Sequence, residues 1–279
     1  MFKGSNHLLK LKQMTKTKFT RENVRSDILK KVIIKVDYQG FSGADDTGRF
    51  ITSLKPVWVD YFHKYSDIPN KNFNVNLGKS GLTNFSTEII HVHRFSSSSI
   101  GSSQAVMDIT AKFASIEVTC SSPYEGSDGY LDCMAHFIKI LKDYDPFVEL
   151  TRIGIRKIDH VFNPSASELD NILESNVWNL YQDIPRIIAE KKEYKDFIKL
   201  NNGTLVNLAR ILEKVMINNN EQYRLTFDAD AYKQNERLDN SGMRNIDVNK
   251  HMLSEINEPL FFLFIKTFKE DFINNFYNG

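Results

Sequence analysis

The chain has 279 residues, 41% of them apolar and 12% aromatic, enough to bury the core of one large or two ordinary domains and too many for a disordered polymer. Its net charge of +1 hides a split: residues 1–31 carry nine Lys or Arg against Glu22 and Asp27, a local +7 that leaves −6 on the rest. Cys120 and Cys133 are the only cysteines and lack framework or metal-type spacing, so neither a disulfide scaffold nor a zinc site of the usual kind is expected.

No run reaches the ~18 apolar residues that a membrane helix needs, and the basic N-terminus lacks the apolar segment of a signal peptide. The expectation is a cytoplasmic protein with reduced thiols, no membrane span and no cofactor. Residues 1–27 read as a basic, poorly ordered arm. Such an arm suits nucleic acid or an acidic partner, but it has little aromatic content to stack bases, so a solvated leader is the simpler reading. It can also fold back on its own acidic body.

Along the chain, Lys31–Tyr38 alternates as a strand, and Gly40, Gly43 and Gly48 mark an irregular connection. A segment over Thr47–His63 is predicted helical at least beyond Pro56, with Val57, Tyr61 and Phe62 on one side. Strands at Phe73–Leu77 and Phe85–Phe95 are joined by a Gly78/Gly81 turn. The Ser-rich stretch 96–103 reads as a hairpin loop leading into a strand over Gln104–Thr119, whose phase change near Phe113–Ser115 predicts a bulge or bend. A helix starts at Ser127 or Asp128 and runs to about Lys142, with Leu131, Met134, Phe137, Ile138 and Leu141 on one stripe.

Val148–Phe162 is the longest strand-like run, with Val148, Leu150, Arg152, Gly154, Arg156, Ile158, His160 and Phe162 placed on one side by strict alternation. Both sides are partly apolar, which predicts a central strand. A short helix to about Leu173 follows, then helix or irregular turn over 175–194. Strands are read at Tyr194–Leu200, Leu205–Ile217 and Gln222–Tyr232, a polar loop at 233–246, and a helix over Asp247–Tyr277 with a kink before Pro259. The order βα–βββ–α occurs twice, over 28–145 and 146–279. It predicts a pseudo-duplicated α+β protein with two antiparallel sheets, each with helices on one face. The alternative is one continuous sheet with Val148–Phe162 as its spine.

With these elements placed, the chain resembles a sporadically distributed family of uncharacterised bacterial proteins of about this length. That family carries an R-(I/L)-G-(L/I)-R-Y-(I/V)-N strand after a Tyr-started helix, and later an L-D-(I/V)-D strand. Here the first reads Arg152-Ile153-Gly154-Ile155-Arg156-Lys157-Ile158-Asp159, with Tyr124 ahead of the preceding helix. The second reads Thr226-Phe227-Asp228-Ala229-Asp230, and Phe261–Phe268 lies in the terminal helix. The likeness covers roughly 28–277 in architecture; Lys157 and Asp159 depart from the usual Tyr and Asn. The resemblance implies no established enzymatic activity, and a setting among mobile or anti-phage defence genes.

Four constellations bear on chemistry. Arg152 and Arg156 share a face, as do Asp228 and Asp230, and bidentate pairing between them would either organise the sheet or let arginine grip a phosphate with aspartate orienting it. The structural role is the simpler. His91 and His93 flank one residue on a strand, a metal pair if a third ligand is supplied, although Arg94 and the adjoining loop suggest a solvated face. Phe261, Phe264, Phe268 and Phe272 in the terminal helix pack on the chain's own sheets or form an interface with a partner or second copy. Leu77-Gly-Lys-Ser80 lacks the first glycine of a phosphate loop, no G-x-S-x-G occurs, and Asp45–Asp46 read as hydrated loop carboxylates. The expectation is a non-enzymatic interaction or sensor component of a bacterial anti-phage defence or similar accessory system, binding a protein encoded by a neighbouring gene. Two alternatives stay open: a receptor or enzyme for a phosphorylated small molecule or nucleotide at the Arg/Asp cluster, and a nucleic-acid binder through residues 1–31.

Overall fold

The alternation of Val32, Ile34, Val36 and Tyr38 becomes a strand with one fully buried side, and the same device repeats in strand after strand. The structure, a computed structural model, describes residues 19, 28–41, 44–59, 61–78, 81–97, 104–120, 128–163, 168–174, 191–235, 238 and 240–275. In chain order its elements are β1 (Leu29–Gln39), α1 (Ala44–Trp58), β2 (Lys64–Gly78), β3 (Gly81–Ser96), β4 (Gln104–Ile109), β5 (Phe113–Thr119), α2 (Asp128–Tyr144), β6 (Glu149–Asn163), α3 (Leu169–Ile172), β7 (Lys191–Lys199), β8 (Leu205–Ile217), β9 (Asn220–Gln234), α4 (Ile246–Thr267) and α5 (Glu270–Asn274). Most of the arm over 1–27, the 175–190 segment, and Phe276 and Tyr277 lie outside the described residues.

The two-sheet expectation is corrected. All nine strands form one antiparallel sheet in the order β2-β3-β4-β5-β1-β6-β9-β8-β7. The reason is a hydrogen-bonded join: the leading strands of the two halves, β1 and β6, pair with each other from Leu29↔Asp159 to Gln39↔Glu149. Each leading strand has the last strand of its own half, β5 or β9, on its other side. The halves therefore share a ladder through β1 and β6. The first half also has four later strands where three are expected. Gln104–Thr119 divides at a tight turn, Thr110 N–H donating to the Phe113 carbonyl at 2.8 Å while Thr110 Oγ1 accepts from the amides of Lys112 and Phe113 at 3.1 Å.

Helices α1, α2 and α4 bury their apolar stripes against one side of this sheet. Phe50, Ile51, Leu54 and Trp58 of α1, Met134, Phe137, Ile138 and Leu141 of α2, and Leu253, Ile256 and Leu260 of α4 form one core with Val32, Ile34, Met107, Ile116, Ile153, Ile155, Ala229 and Ala231. Pro56 lies inside α1, and Val57 faces solvent while Trp58 takes the buried position. Strict alternation along β6 also fails. A bulge sets Asp37 opposite Arg152 but Tyr38 opposite Leu150, so Thr151 is extra, Leu150 turns into the core and Arg152 turns out. The terminal helix passes through Pro259 and breaks instead at Phe268, whose extended backbone separates α4 from α5. Phe268 is the anchor of a second core with Val161, Leu173, Leu212, Leu225, Phe264 and Ile273.

Candidate functional site: an ion-pair ladder on the open sheet face

The side of the sheet away from these helices is aligned by the register. One row runs Ser96–Val106–Glu117–Ile33–Arg156–Asp230–Asn207–Phe197 through eight strands. Strand alternation turns Lys35 and Asp37 of β1, Arg152 and Arg156 of β6, and Asp228 and Asp230 of β9 to this side because their neighbours in sequence fill the core. The structure brings all four Arg/Asp residues together here. Arg156 grips Asp228 bidentately, Nε–Oδ1 at 2.7 Å and Nη2–Oδ2 at 2.5 Å. Arg152 Nη2 donates to both oxygens of Asp230 at 3.0 and 2.8 Å. Neither arginine pairs with the residue directly opposite: Arg156, opposite Asp230, reaches two residues along β9, and Arg152, opposite Gln234, reaches four, across Gly154.

Gly154 explains the spacing of the arginine motif. A Cβ there would sit 3.0 Å from both terminal nitrogens of Arg152, so the guanidinium lies flat over Gly154. The ring of Tyr232, cross-strand from Gly154, stacks with the same guanidinium at 4.5 Å. Asp37 stands 4.0 Å from Arg152 Nη1 and pairs with Lys35 at 2.7 Å, and Lys35 lies over the Phe113 ring at 4.7 Å. The ladder continues outward as Lys31–Glu117, Arg94–Asp108 and Arg224–Glu213.

The cluster is half-buried, not withdrawn from water: Arg156 keeps 46% of its side chain exposed and Asp228 17%. Asp228 holds the Arg156 guanidinium above its ordinary range, mainly through the hydrogen bonds. Burial raises the Asp230 carboxyl, against the pull of Arg152. The sequence pointed to the four charged residues; it missed Asp37 and Tyr232, which belong to strands far from β6 in sequence and become neighbours only through pairing. The glycine between the two arginines was a readable signal for the flat guanidinium.

Asp159, where the resembled family has Asn, faces the core side and is 5% exposed. Burial pushes its carboxyl up to about 7, with Lys157 and Lys30 opposing. Burial likewise pushes the Cys120 and Cys133 thiols up to about 12, so both stay protonated and unreactive at neutral pH.

His91 and His93 lie on β3 but on the side that continues the core, where Tyr65 and Asp67 of β2 meet them; the expected solvated face is that of Arg94. Asp67 Oδ1 is 2.9 Å from His91 Nδ1 and 4.0 Å from His93 Nδ1, and the Tyr65 hydroxyl is 3.0 Å from His93 Nδ1. Among the described residues no three His, Cys, Asp or Glu are grouped to hold a metal ion. The aromatics of the terminal helix pack on their own chain, Phe264 and Phe268 buried and Phe261 and Phe272 half-buried in the second core. Asp46 pairs with Arg49 on α1, beside an open cavity of about 580 Å³ lined by Asp45, Gly48, Arg49 and Thr52. No described helix is long and apolar enough to cross a membrane.

No protein-family model matches the chain, and no curated protein matches it.

Proposed function

We propose that this protein is a non-enzymatic binding component that docks a partner protein on the open face of its sheet, working in a bacterial accessory system of the anti-phage kind that the arginine-strand resemblance implies. The observation that supports this is the face itself. Its strands lie about 4.8 Å apart, so nine of them span about 40 Å, and over ~20 Å of strand this offers roughly 800 Å², the footprint of an ordinary protein–protein interface. Its charges are paired in the plane of the sheet, Arg152 with Asp230 and Arg156 with Asp228, a mixed surface that complements protein polar groups better than polyphosphate. Phe162 and Phe197, 41% and 64% exposed on the same face, supply aromatic anchors.

The test is co-purification of the tagged full chain with the product of a neighbouring gene. Phe197→Glu and Arg156→Glu should each abolish the complex at unchanged far-UV spectrum, whereas Phe147→Glu, at an 87% exposed residue in the turn before β6, should leave it intact. A complex indifferent to both face substitutions overturns the reading. The second reading, a phosphorylated ligand at the arginines, requires displacement of Asp228 or Asp230. It predicts a rise in Tm with nucleotides that Arg156→Ala removes.

A further inference from the structure

The hairpin β2–β3 is longer than the sheet it joins. Its two strands pair from Lys64↔Ser96 to Gly78↔Gly81, but β4 accompanies β3 only from Ser96 to His93 and ends at Ile109 opposite it. Beyond His93 residues 69–78 and 81–91 continue as a two-stranded arm, about 30 Å long at ~3.3 Å per residue. A two-stranded ribbon is marginal by itself, so its attitude depends on how its root is held.

His93 stands at that root, 5% exposed. Its Nδ1 contacts the Tyr65 hydroxyl at 3.0 Å, and its Nε2 is buried with no hydrogen-bond partner among the described residues. Tyr65 is the second residue of β2, and its ring is parallel to that of His93 and lies under Lys55 Nζ of α1 at 3.6 Å. The groups facing His93 are therefore Tyr65 and Asp67 from β2, His91 from its own strand and Lys55 from α1; β4 presents apolar Ile109. Asp67 lies closer to His91 than to His93.

We propose that His93 is a proton-sensitive latch: neutral, it accepts the Tyr65 hydroxyl and fastens the start of β2; protonated, it surrenders that bond and frees the arm. A single proton from solvent adds at the ring and no other bond changes. The added proton goes to Nδ1, which then accepts nothing; Nε2–H, already without an acceptor in the neutral ring, gains none, and a cation is left beside Lys55. Drawing Asp67 inward would relieve it only by taking Asp67 from His91 and displacing Tyr65. Burial lowers the His93 pKa from its ordinary 6.5, more than Asp67 raises it, and burial with Asp67 raises that of Tyr65, so the hydroxyl remains a donor. The sign follows: a histidine depressed in the folded state is fastened above 6.5 and loses its hold as pH falls below it.

Amide hydrogen exchange on the full chain tests this, corrected for intrinsic rates, at about pH 7.5 and about pH 5. Exchange in 69–78 and 81–91 should rise about tenfold at the lower pH, with β1 and β6 unchanged. His93→Gln keeps an acceptor for Tyr65 but cannot take up the proton, and should erase the difference; His91→Gln should preserve it. Equal arm exchange at both pH values in the parent protein, or a pH response that survives in His93→Gln, overturns the latch. Should His93→Gln fail to fold, ring resonances of the parent protein decide. A His93 midpoint below 6.5, shared by Tyr65, supports the latch, and a midpoint at or above it overturns the latch.

Discussion

Asp159 is a carboxyl buried on the core side of β6. Asp159 binds a proton more tightly folded than unfolded, so its contribution to stability is greatest below 3.8 and is lost as pH rises from there to about 7. Asp159→Asn should leave stability flat over that window and raise it above pH 7, by on the order of 4 kcal/mol at most for a shift of about three units. Urea titrations at about pH 5 and pH 8 check this, and an Asn variant no more stable than the parent at the higher pH would refute it. The outward arginines matter less. Arg156→Ala removes a half-exposed guanidinium and should cost about 1 kcal/mol, whereas Arg152→Ala removes the more enclosed guanidinium, leaves Asp230 without its partner and unstacks Tyr232, costing about 2 kcal/mol. Gly154→Ala should reproduce part of the Arg152→Ala loss, since the added methyl pushes the guanidinium off the sheet.

At the scale of elements, the break between α4 and α5 is held by packing. Phe268 N–H donates to the Phe264 carbonyl at 3.3 Å, Lys269 N–H donates to the Ile172 carbonyl at 2.7 Å, and the Phe268 ring stacks on Phe272 and meets Phe264 and Phe227 at a tilt. Leu173 bridges to Phe268 in an isolated antiparallel pair. The break thus lies where a core needs one aromatic, while Pro259 is absorbed within the helix. Phe268→Ala should cost about 4 kcal/mol through the cavity it leaves, and should loosen exchange protection of α3 and α5 together. Its measurement is the Tm and the exchange pattern of the full chain; loss confined to α5 would show that the second core is not a unit.

For the whole molecule, the β1–β6 join makes the two halves one cooperative body. Each leading strand would expose an unpaired edge if its half were made alone. The expected outcome is a single unfolding transition by fluorescence and circular dichroism, and fragments 28–145 and 146–279 that are unfolded or aggregated apart. Two resolved transitions, or a monomeric folded fragment, would restore the two-domain expectation.

How much of this was legible follows from the range of each interaction. Period-2 and helical patterns located β1, β6, β8, β9 and α2, and the start of α4, to within a few residues, because burial of one side is written into neighbouring residues. The residues of the ion cluster were legible too, as charges in apolar strands. Polar Lys64–Asn72, with Pro69 inside it, carried no such pattern and was missed as a strand; pairing with β3 supplies its order. Which sheet a strand joins, which side the bulge at Thr151 turns Arg152 toward, and whether an arginine meets Asp228 or Asp230 depend on pairing between residues some 70 to 130 apart. Local sequence determined the strands, the stripes and the charged residues among them; the tertiary structure alone decided that two halves share one ladder, because edge-to-edge pairing leaves no mark in either strand's own alternation.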